Sequence, residues 1–273
     1  MSWPAMAAEA EFGVIGGSGL YRFLAPARSV VVDTPFGPAS GPISIVEVEG
    51  RSVAFLPRHG PEHTIPPHQI NYRANVHALH SLGVTRVIGP AAVGSLRVEM
   101  APGHLVISDQ FIDRTWGRAG TFFDGPEVAH VAMAEPYCRQ LRPLALAAAR
   151  ESGFVTHERG TVVVTQGPRF STRAESRAHR AMGGDIVNMT QYPEVALARE
   201  LGMCYVNLSL VTDYDAGLEE RSDVAPVTQD DVLRVFGERV EQLRGALVRL
   251  IATTPVGRTC ACAASAGAPM HTH

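Results

Sequence analysis

Two aspartates one residue apart, Asp213 and Asp215, leave the end of the very apolar run Tyr205–Val211. On an extended backbone alternate side chains share a face, so both carboxylates would meet one ligand. Close carboxylates raise each other's pKa, which leaves one protonated as an acid beside an ionised acceptor. A polar loop with helix-capping aspartates is the competing reading. Other runs of small and basic residues also follow apolar stretches. Gly16-Gly17-Ser18-Gly19 offers backbone amides that an anion can approach closely, plus one hydroxyl, against a plain tight turn. It is no dinucleotide fingerprint, because Arg22 stands where the third glycine belongs. Arg58-His59-Gly60 sets a guanidinium beside an imidazole, a pairing that suits a phosphate oxyanion or simply a surface. Gly89–Ser95 reads as a loop of small residues that a ligand can approach, and Gly167–Ser171 and Asn188-Met189-Thr190 follow further strands.

His59-Gly60-Pro61-Glu62-His63 fits a zinc spacing that works only on a helix. Gly60-Pro61 would break that helix, so no metal is expected there. All 24 basic residues are arginines. Without an amine, Schiff-base and pyridoxal chemistry and lysine-containing phosphate loops are excluded.

The elements that must position these groups alternate. Strands are predicted at Phe12–Gly16, Ile43–Val48, Val53–Leu56, Val84–Gly89, Leu105–Ser108, Thr161–Thr165, Asp185–Met189 and Tyr205–Val211. Helical patterns cover Tyr72–Leu82, Tyr137–Ser152, Thr172–Met182, Pro193–Leu201 and Thr228–Ile251; in the last, Val232, Val235, Val240, Leu243, Leu247 and Leu250 form an apolar stripe. This is the pattern of an α/β protein: a single domain, residues 1–255, with a mixed, largely parallel central sheet flanked by helices. Ligands in such folds sit at the carboxyl ends of the strands. Residues 256–273 read as a weakly ordered Ala/Cys-containing tail, in which Cys260 and Cys262 are expected as exposed thiols.

A net charge of -3 gives no pull toward nucleic acid or an acidic membrane. No apolar stretch reaches the roughly 20 residues that span a bilayer, and no secretory leader is seen, so the cytoplasm is the expected location.

The runs Val14–Leu20, Asp33-Thr34-Pro35-Phe36-Gly37, Arg58-His59-Gly60, Asp109–Thr115, Ala134-Glu135-Pro136, Gly167–Ser171 and Thr212-Asp213-Tyr214-Asp215, taken in order, resemble the 5′-methylthioadenosine phosphorylases. These belong to the trimeric group of purine nucleoside phosphorylases, and the likeness extends from position 12 to about 250. The resemblance implies the nucleoside phosphorylase fold, a homotrimer, and phosphorolysis of a 6-aminopurine nucleoside. 5′-Methylthioadenosine and phosphate would give adenine and 5-methylthioribose 1-phosphate, with phosphate as co-substrate and no cofactor.

Carried over by position, Ser18, Arg58, His59, Ala91, Ala92 and Thr190 match the phosphate residues, with Ala91 standing where many members have threonine. Met189 would lie under the ribose, Asp213 would serve as the acid at the base, Asp215 would accept from its 6-amino group, and Ser171 stands in the substrate site where 6-oxopurine enzymes of the group place a glutamate. His59 and Asp213 are the catalytic candidates. His130 matches a residue that reaches the neighbouring subunit's 5′ pocket. Gln229 stands where these enzymes place a small apolar residue near the 5′ substituent, unless it points away, since it sits early in a helix where a one-turn shift is easy. That change opens an alternative, a broader phosphorylase acting on adenosine and, less favourably, inosine. From another class, the alternative is a nucleoside- or phosphate-binding protein without turnover.

Overall fold

The computed structural model describes residues 8–17, 20, 28–218 and 224–267. In chain order the elements are β1 (Phe12–Gly16), β2 (Arg28–Val30), β3 (Ile43–Val48), β4 (Arg51–Pro57), α1 (Tyr72–Ser81), β5 (Arg86–Ile88), β6 (Ala91–Ser95), β7 (Leu105–Ile107) and β8 (Gln110–Arg114). They continue with α2 (Leu141–Glu151), β9 (Thr156–His157), β10 (Thr161–Thr165), α3 (Arg173–Ala181), β11 (Ile186–Asn188), α4 (Gln191–Glu200), β12 (Cys204–Val206), β13 (Leu208–Asp213) and α5 (Gln229–Thr253).

The α/β reading holds, and the pairing is mixed and largely parallel: seven strand pairs are parallel and four antiparallel. The expected central sheet, however, is two sheets, ordered β12-β5-β1-β4-β3-β2 and β8-β10-β11-β6-β13-β7-β9. The chain passes from the first to the second twice, side by side. Between β5 and β6 it does so at Gly89-Pro90, where proline has no N–H for a ladder; between β12 and β13 it does so at Asn207. The Asn207 side-chain amide donates to the Gly89 carbonyl, Ser209 Oγ donates to Asn207 Oδ1 at 2.6 Å, and Gly89 N–H donates to the Val206 carbonyl at 2.9 Å. The two bends therefore brace each other.

Gly89–Ser95, expected as a loop, contains β6. Alanine and glycine have weak strand propensity, yet only small residues fit here. A Cβ on Gly94 would stand 2.8 Å from Asp213 Oδ1.

β1 is buried along its whole length, as expected of a strand covered on both faces. α5 is started by Thr228, whose hydroxyl accepts from Asp231 N–H while the Asp231 carboxylate accepts from Thr228 N–H. Its stripe of Val235, Phe236, Leu243, Leu247 and Leu250 packs into the core. The weakly ordered tail expected after residue 255 needs correcting over 257–267. Arg258 Nη1 donates to the Gly202 carbonyl at 2.9 Å, Thr259 N–H to Gln140 Oε1 at 3.1 Å and Gly267 N–H to the Glu200 carbonyl at 2.9 Å. Cys262 is buried and Cys260 half-buried, so neither is the exposed thiol that composition suggested. Among the described residues, no helix is long and apolar enough to cross a membrane.

Candidate active site

Strands from both sheets end at one cavity. Gly17 follows β1, Arg58 and His59 follow β4, Met189 and Thr190 follow β11, and Thr212, Asp213 and Asp215 close β13. Ala91 and Ala92 of β6, Ser171 ahead of α3, and the first turns of α5 complete the wall. Nine of the residues singled out from the sequence thus meet: Arg58, His59, Ala91, Ala92, Ser171, Met189, Thr190, Asp213 and Asp215. Ser18 lies outside the described residues.

At one end the groups are basic and small. The Arg58 side chain is buried to 2% exposure. Its fork is already held: Nε donates to Glu194 Oε2 and Nη2 to Oε1, both at 2.9 Å, and Nη1 donates to the Pro90 carbonyl at 3.1 Å. The bidentate face expected to grip an anion therefore belongs to Glu194, and one N–H on each terminal nitrogen remains. Burial opposes the guanidinium's charge, but Glu194 outweighs it and raises Arg58 above its ordinary value. Glu194 is fixed in turn by Tyr205, whose hydroxyl donates to Oε1 at 2.6 Å.

Beside this pair, His59 Nδ1 lies 2.9 Å from the Ile65 carbonyl, which fixes the proton on Nδ1 and leaves Nε2 as the lone-pair nitrogen. Burial first, then the charge of Arg58, pushes its pKa down to about 4, so the ring is neutral at pH 7. Thr190, buried at the head of α4, is set by Asn188, whose Oδ1 accepts from the backbone N–H groups of Thr190 at 2.6 Å and Gln191 at 2.8 Å.

At the other end the groups are acidic. β13 does not continue past Asp213, since Asp215 adopts φ +48°. The shared face expected of an extended strand is replaced by a turn, in which Asp215 N–H donates to Asp213 Oδ1 at 2.8 Å. Thr212 Oγ1 donates to Asp213 Oδ2 at 2.7 Å. Burial is the main cause that pushes the Asp213 carboxyl up to about 6. Asp215 is raised too, again chiefly by burial, with the hydroxyls of Ser171 and Ser176 opposing. Its Oδ2 is buried without a hydrogen-bond partner. Ser171 is placed by a capping box, in which Thr172 Oγ1 accepts from Glu175 N–H at 3.1 Å and the Glu175 carboxylate accepts from Thr172 N–H at 2.8 Å.

These elements match known proteins along their whole course. Residues 11–252 match the phosphorylase superfamily. The chain belongs to that superfamily. It is 52% identical over 255 residues to S-methyl-5′-thioadenosine phosphorylase of Thermofilum pendens, spanning 93% of this chain and 95% of that one. It is also 52% identical over 269 residues to purine nucleoside phosphorylase of Streptomyces coelicolor, spanning 95% of each. Among solved structures, methylthioadenosine phosphorylase of Schistosoma mansoni in complex with adenine superposes with a TM-score of 0.84 at 39% identity, over 89% of this chain and 91% of that one.

Two candidates stand apart from the cavity of this superfamily member. Gln229 is exposed at the first position of α5, and it is Val232, Leu233 and Phe236, on the next turns, that line the cavity. Gln229 lies one turn nearer the start of the helix than Val232 and Leu233, on the same face, and there it is exposed and does not supply the polar wall that its place in the sequence suggested. His130 is exposed in the loop between β8 and α2, outside the cavity of its own chain.

Sequence reading also missed residues. Glu194 sits inside an apolar helical pattern where a carboxylate needs a buried partner, and that was its signal. Arg118 gave none. It donates to the carbonyls of Met189 at 2.9 Å, Tyr192 at 2.7 Å and Gln166 at 2.9 Å, tying the Met189 loop to the turn after β10. Gly167 completes that tie, since at φ +64° a Cβ would stand 2.6 Å from Met189 Sδ.

Proposed function

We propose that this chain catalyses the reversible phosphorolysis of 6-aminopurine nucleosides, S-methyl-5′-thioadenosine foremost, to adenine and 5-methylthioribose 1-phosphate. The observation that carries the reading is the pair of raised carboxyls, half-buried Asp213 and buried Asp215, lining one cavity with Arg58 and His59. Phosphate supplies the nucleophile and is the co-substrate; the chemistry calls for no cofactor.

As the C1′–N9 bond breaks, its electron pair passes to the purine, C1′ gains oxocarbenium character, and a phosphate oxygen bonds to C1′. Asp213, protonated and pointing at the base, gives its proton to N7 so that a neutral base departs. Asp215 Oδ2 accepts from the 6-amino group. A 6-oxo group there would set two acceptors face to face, at a cost of about 1–3 kcal/mol.

At the opposite end, the two remaining N–H groups of Arg58, the Thr190 hydroxyl and the amides of β6 hold phosphate oxygens, and Ser18 joins them on sequence resemblance. His59 Nε2, a lone pair, accepts from a phosphate O–H and so favours a protonated oxygen. Met189 underlies the ribose, and Val232, Leu233 and Phe236 give the 5′ substituent an apolar wall that suits a methylthio group better than a hydroxyl. Relatives named S-methyl-5′-thioadenosine phosphorylase support that order. A Streptomyces coelicolor relative named purine nucleoside phosphorylase supports a wider range of purine nucleosides, among which adenosine, with its 6-amino group, suits Asp215 as second substrate.

A homotrimer, with His130 of one subunit at the 5′ end of its neighbour's site, accounts for the exposure of His130, Trp116 and Val128; light scattering tests it. Four unpaired cysteines fit a reducing compartment, the cytoplasm.

Parallel assays with methylthioadenosine, adenosine and inosine test the whole reading. Phosphate-dependent adenine release is expected in that order of kcat/KM, with inosine last. Absence of adenine release from both adenine nucleosides would sink it.

A further inference from the structure

Away from the cavity, three distant stretches of chain bring all four cysteines together. Cys138 precedes α2, Cys204 opens β12, and Cys260 and Cys262 lie on the C-terminal segment. The four sulfurs all lie within 4.8 Å of one another, and Cys204 Sγ is 3.3 Å from Cys260 Sγ. A tetrahedral zinc ion with Zn–S bonds of about 2.3 Å separates its sulfurs by roughly 3.8 Å, and this cluster matches that scale. We propose that Cys138, Cys204, Cys260 and Cys262 bind one zinc ion as a tetrathiolate that fastens the C-terminal segment onto α2 and β12.

The surroundings are those of an anionic sulfur cluster. Arg199 Nη1 donates to Cys262 Sγ at 3.5 Å and is itself buried. Arg139 and Arg199 both line the cavity that opens beside Cys260 and Cys262. Zinc held by four thiolates carries a net charge of 2−, and donors of this kind stabilise it and orient its ligands. Soft sulfur ligands in a tetrahedron select zinc over hard cations. On binding, the ion displaces four thiol protons and is neither oxidised nor reduced. The C-x-C spacing and the distance to the other two cysteines hid the set in the sequence, where zinc sites are sought as C-x-x-C pairs.

The cluster backs onto the phosphate end of the active site. Cys138 N–H donates to the Tyr205 carbonyl at 2.8 Å. Tyr137, next to Cys138, donates to Gln191 Oε1 at 2.5 Å, and Tyr205, next to Cys204, donates to Glu194, the partner of Arg58. The ion would thus stiffen the wall that holds Glu194, without touching substrate.

The full chain, purified with reductant and no chelator from cells grown with added zinc, is expected to carry one zinc per chain by elemental analysis. Reduced, zinc-stripped wild-type protein titrated with cobalt(II) should develop the intense visible bands of tetrahedral thiolate cobalt, saturating at one equivalent and bleached by zinc. Cys260→Ser/Cys262→Ser is expected to lose both signals, to melt several degrees lower and to keep kcat within about twofold. Fully reduced wild-type protein that takes up neither zinc nor cobalt overturns the proposal, whether its thiols then prove free or re-form disulfides. Metal uptake that survives in the double variant overturns it equally.

Discussion

At the basic end of the cavity, the proposed phosphate site, each charged or titratable group among the described residues already has a partner, Arg58 with Glu194, Glu194 with Tyr205, and His59 Nδ1 with the Ile65 carbonyl. At the acidic end, the proposed purine site, Asp215 keeps a buried carboxylate oxygen with none. The difference separates two tasks. An anion common to every turnover is met by donors whose positions are fixed beforehand, so little reorganisation is left for the reaction. Choice among bases rests on an acceptor left unmet, which a 6-amino group satisfies and a 6-oxo group cannot. Substitutions at the two ends should therefore fail differently.

The largest expected effect is at the acid. Asp213→Ala should lower kcat/KM for methylthioadenosine by about 10²–10⁴-fold, the usual worth of general acid catalysis, while adenine affinity measured by calorimetry falls far less. If Asp213 acts as the proposed acid, its protonated form is the active one, and with its carboxyl pushed up to about 6 wild-type kcat/KM should fall as pH rises above about 6. That limb should vanish in the variant. Equal losses of rate and binding would make Asp213 a binding group only.

Next is the pair that positions the phosphate end. Glu194→Ala leaves Arg58 as an uncompensated buried charge, so stability measured in urea should fall by about 3–5 kcal/mol. In the fraction that stays folded, KM for phosphate should rise more than KM for the nucleoside, because Arg58 loses its fixed aim. An unchanged denaturation midpoint would mean that Arg58 swings into solvent, and that the phosphate end is less rigid than its hydrogen bonds imply.

The same contrast governs what could be read from the sequence. Five helical patterns and seven of the eight strand runs were legible because burial writes its period into the chain; the eighth, Tyr205–Val211, is broken at Asn207 into β12 and β13 of different sheets, and β2, β8 and β9 had no run. β6 was not legible either, since Ala91, Ala92 and Gly94 have weak strand propensity and Gly94 is kept small by the close approach of Asp213. Nor was the division into two sheets, which rests on the side chain of Asn207 reaching Gly89. At the site, local runs revealed Arg58-His59 and the two aspartates. Partners far away in the chain, such as Glu194, 136 residues from Arg58, and Arg118, 71 from Met189, leave no local pattern. The turn that gives Asp215 its φ of +48° was likewise invisible, because aspartate tolerates that region and nothing in the composition demands it.

A smaller effect, and one confined to specificity, is expected at the open acceptor. Asp215→Asn keeps the shape and can turn an amide N–H toward a 6-oxo group. The inosine-to-adenosine ratio of kcat/KM should rise roughly tenfold to a hundredfold, the span of a buried hydrogen-bond mismatch. Phosphate KM should hardly move. If it moved as much as the base preference did, the two ends would be coupled and the separation of tasks would fail.

The smallest effect is expected at Gln229, where the structure favours the second of the two sequence readings. An exposed side chain at the start of α5 makes no buried contact to lose, and surface changes of this kind stay within about 0.5 kcal/mol. Gln229→Leu should therefore leave the methylthioadenosine-to-adenosine preference within about twofold, by the same measure. The wall that matters is one turn on, where Val232 and Leu233 line the cavity. Val232→Asn should shift preference toward adenosine by placing an amide where a 5′-hydroxyl would sit. A tenfold swing from Gln229→Leu with none from Val232→Asn would show that α5 turns its first residue inward during catalysis, and that the apolar 5′ wall belongs only to the resting chain.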